Sequence, residues 1–388
     1  MRAAFVLWLL LAAAGHASAQ VQGHVSLMFD ALPDLDSASG NQHVSELRAR
    51  VFAERADDFG EHLRIVVSGY VDGLVADRAS VGGQDTTRDV IVRPADVYAD
   101  LVFSRFDVRV GAARIVWGRL DEFQPTDVVS PIDLTRFLFE GRTEARLATG
   151  LVRGRVFLPR STTVEAIVVP AFRASRFDQL DERTSPFNLP GGIERREPGF
   201  GIESLQGGAR ITSTLRRVDW GASAYRGVRS VPVATLIPTP GGPAVVGTHP
   251  RFTMVGGDFE TVRGAWGVRG EAAAFIDHAA ESFEGGVGLD RRAGAVRVGG
   301  NVLWSNDAGL SLVAAADRSF ARETRTVRLF TVYDPGDRTV FVRGIAAVSL
   351  HENTWLEGSA GVFTGSSLDT LGQLARRDFF YARLKVFF

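Results

Sequence analysis

Hydrophobic and polar residues alternate along most of this chain. Leu47, Ala49 and Val51 would share one face of a strand, and Arg48 and Arg50 would share the other. A helix would spread these two sets around its circumference, whereas a strand separates them because successive side chains point to opposite faces. The pattern therefore predicts β-structure with one apolar face and one charged face.

The same alternation recurs in about 18 segments, each roughly 9 to 14 residues long. They lie at 22–30, 43–55, 62–76, 92–105, 107–118, 147–158, 162–173, 204–215, 217–226, 250–262, 264–277, 281–293, 294–306, 309–320, 324–334, 338–350, 353–365 and 377–388. Such two-faced segments suit a wall with lipid on one side and water on the other, so we predict an all-β fold, a transmembrane antiparallel up-and-down β-barrel. The first and twelfth segments show the pattern least, and single-chain bacterial barrels have even strand numbers, so we expect about 16 to 18 strands.

The connections between the segments alternate between short and long. The short ones include Asp57 to Glu61, 159–161, 216–217, Arg263 and Glu352, and the long ones include 77–91, 119–146, 174–203, 228–249 and 366–376. If Phe388 ends on the side of the short turns, every long connection falls on the opposite side, as in known barrels. A soluble β-sandwich is the alternative, but about 18 long strands exceed its ordinary size.

The first 19 residues have the order of a secretory signal peptide. Arg2 supplies a positive charge, an apolar run follows from Phe5 to Ala14, and small residues stand at 17–19. The apolar run is shorter than the roughly 20 residues that a membrane-spanning helix needs. We therefore expect residues 1–19 to be cleaved after export through the inner membrane, which leaves a single barrel domain at 20–388.

Composition and motifs give little support for catalysis. There is no cysteine, so the chain can form neither a disulfide nor a thiolate metal site, and the net charge of −1 gives no argument for nucleic acid as a partner. No metal-binding H-E-x-x-H, G-x-S-x-G nucleophile turn or phosphate-binding glycine loop occurs. Asp258 and Glu260 could form a carboxylate pair on one strand face, but arginines such as Arg269 are their more ordinary partners. We expect no enzyme activity, catalytic residue, metal or cofactor.

The C-terminal strand carries the sharpest local motif. Its apolar face consists of alternate residues up to the last one and includes Phe380, Leu384, Val386 and Phe388, opposite Arg383 and Lys385. This strand resembles the C-terminal assembly signal of Gram-negative outer-membrane proteins, which ends on an aromatic residue. The resemblance implies a location in the outer membrane, with outer-membrane lipid, the barrel-assembly machinery and periplasmic chaperones as partners. An edge strand of a soluble sandwich is the alternative, and a homo-oligomer stays open.

The connection at 119–146 does not have the composition of a surface loop. Large apolar residues such as Phe123, Phe137 and Phe139 are interspersed with charges. A segment folded into a wide barrel could pack the apolar groups on the inner wall and leave the charges around a narrowed pore. The candidate constriction residues are Arg119, Asp121, Glu122, Asp127, Asp133, Arg136, Glu140, Arg142, Glu144 and Arg146. A plug held by ion pairs is the other interpretation.

The sequence around this connection also resembles a known group of barrels. Trp117-Gly118, a polar stretch and then residues 127–134 are similar to a "W-G … N-P-x-D" signature of poorly characterised outer-membrane barrels, with Ser130 in place of the expected Asn. A more distant similarity, in architecture alone, is to alginate-export-type barrels. Both resemblances imply a porin-like barrel and neither implies a solute.

Three functions stay open on this basis. The first is a porin-like channel for passive or substrate-selective passage of small solutes, constricted by 119–146. Its lumen wall would carry Arg48, Arg50, Arg64, Arg109, Arg153, Arg155, Arg210, Arg297, Arg343 and Arg383. Arginines without acidic partners would favour anions, and full pairing would give weak selectivity. The second is a plugged structural or adhesive barrel, and the third is the outer-membrane component of an export route for lipids or hydrophobic compounds.

Overall fold

The structure is a computed structural model that describes most of the chain after the N-terminal segment. The described residues are 21–33, 41–80, 83–121, 123–135, 139, 142–176, 194–239, 242–277, 281–365 and 377–388. The predicted signal peptide at 1–19 lies outside them, so its cleavage stays a prediction. Among the described residues, no helix is both long enough and apolar enough to cross a membrane.

Twenty-one strands and one short helix occur in the described part. They are β1 (Val21–Leu32), β2 (Asn41–Phe59), β3 (Leu63–Ser80), β4 (Gly83–Val102), β5 (Phe106–Ala113), α1 (Arg142–Ala145), β6 (Thr149–Leu158), β7 (Thr162–Val169), β8 (Glu194–Arg196), β9 (Gln206–Leu215), β10 (Val218–Val228), β11 (Val233–Thr239), β12 (Gly242–Thr248), β13 (Arg251–Arg263), β14 (Trp266–Asp277), β15 (Glu281–Ala293), β16 (Val296–Ser305), β17 (Gly309–Phe320), β18 (Arg325–Asp334), β19 (Thr339–His351), β20 (Thr354–Thr364) and β21 (Phe379–Phe387). Eighteen of the strands belong to one sheet, and β8, β11 and β12 form a second, three-stranded sheet.

The 18-stranded sheet is a closed antiparallel barrel. Each barrel strand pairs with the next barrel strand along the chain. Because β8, β11 and β12 belong to the small sheet, β7 pairs with β9 and β10 pairs with β13. The last strand, β21, pairs with β1, and Gly23 and Phe388 exchange two main-chain hydrogen bonds of 3.0 and 3.1 Å at this seam. Closure leaves no unpaired edge for aggregation. The predicted fold class is confirmed, with the strand count at the upper end of the expected range.

The two faces of the barrel wall differ as the alternation predicts. Leu47 and Val51 on β2 are each 45% exposed on the outside, whereas the neighbouring Arg48 and Arg50 point inward and are buried. On β21 the odd and even positions separate in the same way, with Phe380 outside and Tyr381 inside. An apolar outer face and a charged inner face follow directly from a period of two residues.

The two ends of the barrel also differ. At the end that carries Phe388, here called the turn end, connections are as short as 216–217 and 264–265. The opposite end, here called the loop end, carries the longer connections 114–148, 170–205 and 229–250, the last two of which contain the small sheet. Residues 177–193 and 366–376 of the predicted long connections lie outside the described residues.

Two predicted connections differ from the structure. The long loop expected at 77–91 is wrong, because β3 continues to Ser80 and β4 begins at Gly83. This hairpin extends beyond the apolar band, where both faces carry polar residues, and Thr86 donates a 2.7 Å hydrogen bond to Asp77 across it. The connection at 228–249 contains the β11–β12 hairpin rather than loop alone. Strand pairing in water needs no apolar face, so the alternation gave no signal there.

Candidate functional site

The connection between β5 and β6 folds into the barrel lumen in the part that the structure describes. Its described residues, 114–121, 123–135, 139 and 142–148, are here called the inner segment. Trp117 is its main anchor: the side chain is 1% exposed, its ring meets Tyr225 edge-on at 6.0 Å, and Nε1–H donates a 2.7 Å hydrogen bond to Glu165 on β7. The surrounding cluster consists of Ile115, Trp117, Val129, Leu151, Ile167, Val169, Tyr225, Phe252, Met254, Ala273 and Phe275. The first half of the inner segment is therefore packed on the wall from β6 to β14.

A second apolar contact holds the inner segment to the opposite wall. Phe139 is 1% exposed and meets the rings of Phe379 and Tyr381 edge-on at 5.1 and 5.7 Å. Its cluster consists of Met28, Leu32, Val44, Phe139, Val313, Val332, Phe341, Phe363, Phe379 and Tyr381, which come from strands β17 to β21, β1 and β2. Because the two clusters lie on opposite sides of the barrel, the inner segment crosses the lumen.

Main-chain hydrogen bonds give the inner segment its own local structure. The N–H of Asp133 donates to Ala145 at 2.7 Å, and the N–H of Leu147 donates to Pro131 at 2.8 Å. The Ser130 hydroxyl accepts a 2.8 Å bond from the N–H of Ile115. Ser130, which stands where the resemblance leads one to expect Asn, thus satisfies a buried main-chain donor.

The charges near the start of the inner segment are paired with the wall. Arg119 Nε donates a 2.7 Å hydrogen bond to Asp258, and Nη1 of Arg119 lies 3.3 Å from Glu260 Oε2. Asp121 accepts a 2.8 Å bond from Arg269, which also binds Glu260 at 2.9 Å. Asp258 and Glu260 thus each have arginine partners, including the Arg269 that the sequence suggested.

The remaining predicted constriction charges are held in pairs or lie outside the described residues. Asp127 pairs with Arg146 at 2.6 Å, and Asp133 pairs with Arg176 at 2.6 Å. Glu144 lies 3.8 Å from Lys385 on β21. Glu122, Arg136 and Glu140 lie outside the described residues, as does the side chain of Arg142.

The predicted lumen arginines line the inner wall, and most are paired with acids. Their partners include Asp100 for Arg109, Asp107 for Arg153 and Arg155, Asp258 for Arg210, Asp290 for Arg297 and Glu357 for Arg383. Arg343 instead donates to Ser359 at 3.0 Å and to the Tyr381 hydroxyl at 2.8 Å. Arg64 is exposed near the turn end. The wall is thus a network of ion pairs.

Arg48 and Arg50 share one fully buried carboxylate, that of Asp72 on β3. Asp72 accepts bonds of 2.9 Å from Arg48 and 2.6 Å from Arg50, and Arg93 of β4 approaches to 3.2 Å. Arg93 also donates to Asp133 of the inner segment. Asp72 thereby organises three arginines, one of which connects the wall to the inner segment.

A small pocket lies between the inner segment and the wall of β2 to β5. Five guanidinium groups line it, and two carboxylates, those of Asp133 and Glu144, do so as well. The arginines are Arg50, Arg93, Arg114, Arg146 and Arg173. Of these arginines, Arg50 and Arg146 were among the predicted site residues, as were both carboxylates, those of Asp133 and Glu144. Arg93 stands in a predicted strand, but strict alternation with Val97 and Leu101 would have placed it on the outer face, and an irregularity in the β3–β4 register turns it inward. Arg114 directly follows β5, and Arg173 lies four residues after the end of β7.

Arg173 differs from its neighbours in the pocket. Its guanidinium donates to the main-chain carbonyl of Ala148, and in the described part of the chain no carboxylate lies within 4.0 Å of it. Arg114, by contrast, is bound to Asp96 at 2.5 Å. Arg173 therefore contributes a positive charge that no described acid directly neutralises.

At the loop end, a short series of main-chain hydrogen bonds connects the inner segment to the residues just before the β11–β12 hairpin. Arg176 donates its N–H to Ile132 at 3.1 Å, and Ser175 donates its N–H to Ser230 at 2.8 Å, close to the start of the hairpin. His249, just after the hairpin, packs against the ring of Phe172 at 4.8 Å. Main-chain hydrogen bonds thus connect the inner segment to the residues that precede the hairpin.

This junction is expected to loosen in acid. Burial lowers the pKa of His249 below its ordinary value of 6.5; Arg195 acts in the same direction, against the Arg229 carbonyl and Glu197. The Nδ1 atom bonds the Arg229 carbonyl at 2.8 Å and the buried Nε2 atom has no described partner. Because the pKa of His249 is lowered in the folded protein, protonation of this side chain destabilises its packing beside the hairpin. The packing is fully stable at pH values above the ordinary pKa of histidine, and it is lost as the pH falls through the lowered pKa of the folded state.

Limited proteolysis of 229–250 at about pH 8 and about pH 5 measures this effect, since the change spans the titration range of histidine. We expect faster cleavage at the lower pH. His249→Phe should remove most of that pH dependence, while His351→Phe, at an exposed position at the turn end, should not. Equal pH dependence in the His249→Phe protein would contradict the assignment.

Among the described residues, no group of three or more His, Asp or Glu side chains is arranged to hold a metal ion. No protein-family model matches the sequence, and no curated protein matches it.

Solved structures match the chain over nearly its whole length at very low sequence identity. OccK5 (OpdH) of Pseudomonas aeruginosa has a TM-score of 0.55 at 10% identity, with 95% of this chain and 96% of that chain covered. OccK7 (OpdD) of the same organism has a TM-score of 0.54 at 11% identity, with 95% of this chain and 96% of that chain covered. A BenF-like porin from Pseudomonas fluorescens Pf-5 has a TM-score of 0.54 at 10% identity, with 96% of this chain and 98% of that chain covered. These similarities establish a shared barrel fold.

Proposed function

We propose that the chain is an outer-membrane channel of the porin type for small solutes, and that the inner segment narrows its lumen. The observation that supports this proposal most is the closed barrel with an apolar exterior and a charged lumen crossed by the inner segment. An apolar outer wall suits lipid, and a charged inner wall suits water and polar solutes. Passage requires no bond to be made or broken, so the proposal assigns no catalytic residue and no cofactor.

The proposal includes the route by which such a channel would reach the membrane. Residues 1–19 would direct export and be cleaved, and the β21 face with Phe380, Leu384, Val386 and Phe388 would be bound by the barrel-assembly machinery after transfer by periplasmic chaperones. The position of Phe388 at the β1–β21 seam supports this role, because recognition of the last strand and closure of the barrel would involve the same residues.

We further propose a preference for anionic solutes. Five guanidinium groups and two carboxylates line the pocket beside the inner segment. Several of these arginines bind carboxylates buried behind the pocket, but Arg173 binds only a main-chain carbonyl in the described part. A fixed positive charge on a narrow passage attracts anions and repels cations.

Reversal potentials in a salt gradient, measured on the refolded protein in planar bilayers, test this preference. One charge at about 5 Å in water attracts an anion by about 0.8 kcal/mol and repels a cation by the same amount. Arg173→Gln should therefore lower the anion-to-cation permeability ratio by about fourfold, and by up to about fifteenfold at low salt, where screening is weak. This change leaves no described carboxylate without its arginine. Arg226→Gln, on the outer face, is the matched control and should leave the ratio unchanged. A ratio that favours cations in the unmodified protein would contradict the preference.

A plugged structural or adhesive barrel is the second candidate function. It is favoured by the contacts of the inner segment with both walls, since Trp117 and Phe139 anchor it at opposite sides. The same bilayer recordings separate the two functions: a folded, inserted protein that passes no current would favour the plug. Binding would then be expected at the small sheet on the loop end.

A further inference from the structure

Glu271 on β14 has an unusual set of partners. Its side chain points into the lumen and is 4% exposed. One carboxylate oxygen accepts hydrogen bonds from the N–H groups of Arg119 at 2.8 Å and Leu120 at 3.2 Å. The other oxygen accepts bonds from the N–H and the hydroxyl of Thr126, at 2.7 and 2.8 Å. All four donors belong to the inner segment.

The neighbouring lumen acids are bound differently. Asp258 and Asp290 each pair with arginine side chains, at 2.7 and 3.2 Å. In the described part of the chain, no arginine or lysine forms an ion pair with Glu271. A buried carboxylate that relies on main-chain N–H groups is stabilised only when the main chain holds one particular conformation, as in an anion-binding nest. Glu271 therefore binds mainly the main chain of the inner segment rather than its charged side chains.

Gly118 shows how closely the main chain wraps this carboxylate. Its φ of +96° lies in the left-handed region, and a Cβ atom at this position would stand 2.5 Å from Oε1 of Glu271. Any side chain at residue 118 would displace the carboxylate. The Trp117-Gly118 pair thus has two separate functions, an apolar anchor and a close approach to Glu271.

We propose that Glu271 is a positioning residue for the constriction. It sets where residues 117–121 and 123–127 lie in the lumen, and thereby the width and selectivity of the passage, without itself lining the passage. The inference rests on the proposed channel function for its effect on conductance. It makes a separate structural claim, that Glu271 holds the three main-chain amides in place.

Hydrogen exchange tests the structural claim without any need for conductance. Because hydrogen bonds to a charged group are among the stronger ones, the amides of Arg119, Leu120 and Thr126 should exchange at least about tenfold faster in Glu271→Ala. Glu271→Gln keeps one acceptor oxygen, so it should speed exchange at the amides that face its NH2 group, either those of Arg119 and Leu120 or that of Thr126, and less at the other end. Glu281→Gln and Glu281→Ala, at an exposed outward position, are the matched controls. Unchanged exchange in both Glu271 variants, with the barrel folded, would overturn the proposal.

A cross-link distinguishes positioning from general loss of structure. A Cβ atom built on Gly256 lies 2.6 Å from Cγ2 of Thr126 and 2.7 Å from the main-chain oxygen of Ala272. Cysteines at positions 126 and 256 should therefore form a disulfide between the wall and the inner segment once the wall at Ala272 shifts slightly. The chain has no other cysteine. In the Glu271→Ala background, oxidation of the Thr126→Cys, Gly256→Cys protein should restore the lower conductance and the ion selectivity of the unmodified protein, and reduction should abolish the rescue.

The outcomes for the two proposals are distinguishable. If the unmodified protein passes no current, the channel function fails, while the exchange experiment still decides the role of Glu271. If the unmodified protein conducts and Glu271→Ala conducts identically, with amide exchange unchanged, the positioning role fails and the channel function stands. If Glu271→Ala does not refold, Glu271→Gln carries the same pair of measurements.

Discussion

Replacing Asp72 with alanine is expected to lower the free energy of unfolding by about 3–5 kcal/mol, the cost of removing one partner from a buried ion pair. Asp72 has no exposed side-chain surface, and it accepts hydrogen bonds from Arg48, Arg50 and Arg93. The change would bring three guanidinium groups together without the carboxylate that separates their charges. Repulsion among them should also displace Arg93 and its partner Asp133 of the inner segment.

Unfolding in urea, with the barrel in lipid vesicles, measures this loss. Asp72→Asn keeps the shape and removes the charge, so a similar loss in that variant would assign the effect to electrostatics rather than packing. Asp307→Ala, at an exposed loop-end turn, is the control and should change stability by less than about 0.5 kcal/mol. A loss below about 1 kcal/mol for Asp72→Ala would show that water or rearranged arginines compensate the missing carboxylate.

Replacing Trp117 with alanine is expected to cost about 3–5 kcal/mol of packing free energy, as for other large-to-small changes in a packed core. The ring fills the centre of the cluster that holds the inner segment to the wall, and Nε1–H satisfies Glu165. The barrel strands keep their own pairing, so we expect the inner segment to detach while the barrel persists. Conductance should rise and become noisier.

Trp117→Phe separates the two contributions of this side chain. Phenylalanine keeps most of the apolar contact and loses the hydrogen bond, so it should cost about 1–2 kcal/mol and leave the conductance close to that of the unmodified protein. Trp304→Ala, on the outer face of β16 where the ring is 48% exposed, is the control for loss of a tryptophan. Equal conductance in the Trp117→Ala and Trp304→Ala proteins would contradict the anchoring role.

The strands could be predicted from sequence because the barrel wall imposes one simple requirement. Each residue either contacts the apolar exterior or faces the lumen, and the alternation of Leu47, Arg48 and Ala49 reports that directly. All 18 strands of the closed sheet overlap their predicted segments. The requirement is absent beyond the apolar band, which is why the extended β3–β4 hairpin and the β11–β12 hairpin were missed.

The sequence could predict which segment forms the candidate site, but not which wall residues each of its side chains contacts. The large apolar residues of 119–146 predicted a buried segment. The structure buries Phe139, but Phe123 is 47% exposed, contrary to that prediction, and Phe137 lies outside the described residues. The partners could not be predicted, because Arg119 with Asp258 and Thr126 with Glu271 are separated by 139 and 145 residues. Such pairs depend on how far around the barrel the inner segment reaches, and alternation carries no information about that. The small pocket was missed for the same reason.

Single-channel conductance of the refolded mature protein, recorded beside a version that lacks about residues 120–144, tests the central claim most directly. A channel narrowed by the inner segment should show steady conductance when intact, and a larger conductance with altered ion selectivity after the deletion. Absence of current from both proteins, each shown to be folded in the bilayer, would contradict the channel function. Current from the deletion alone would identify the inner segment as a plug.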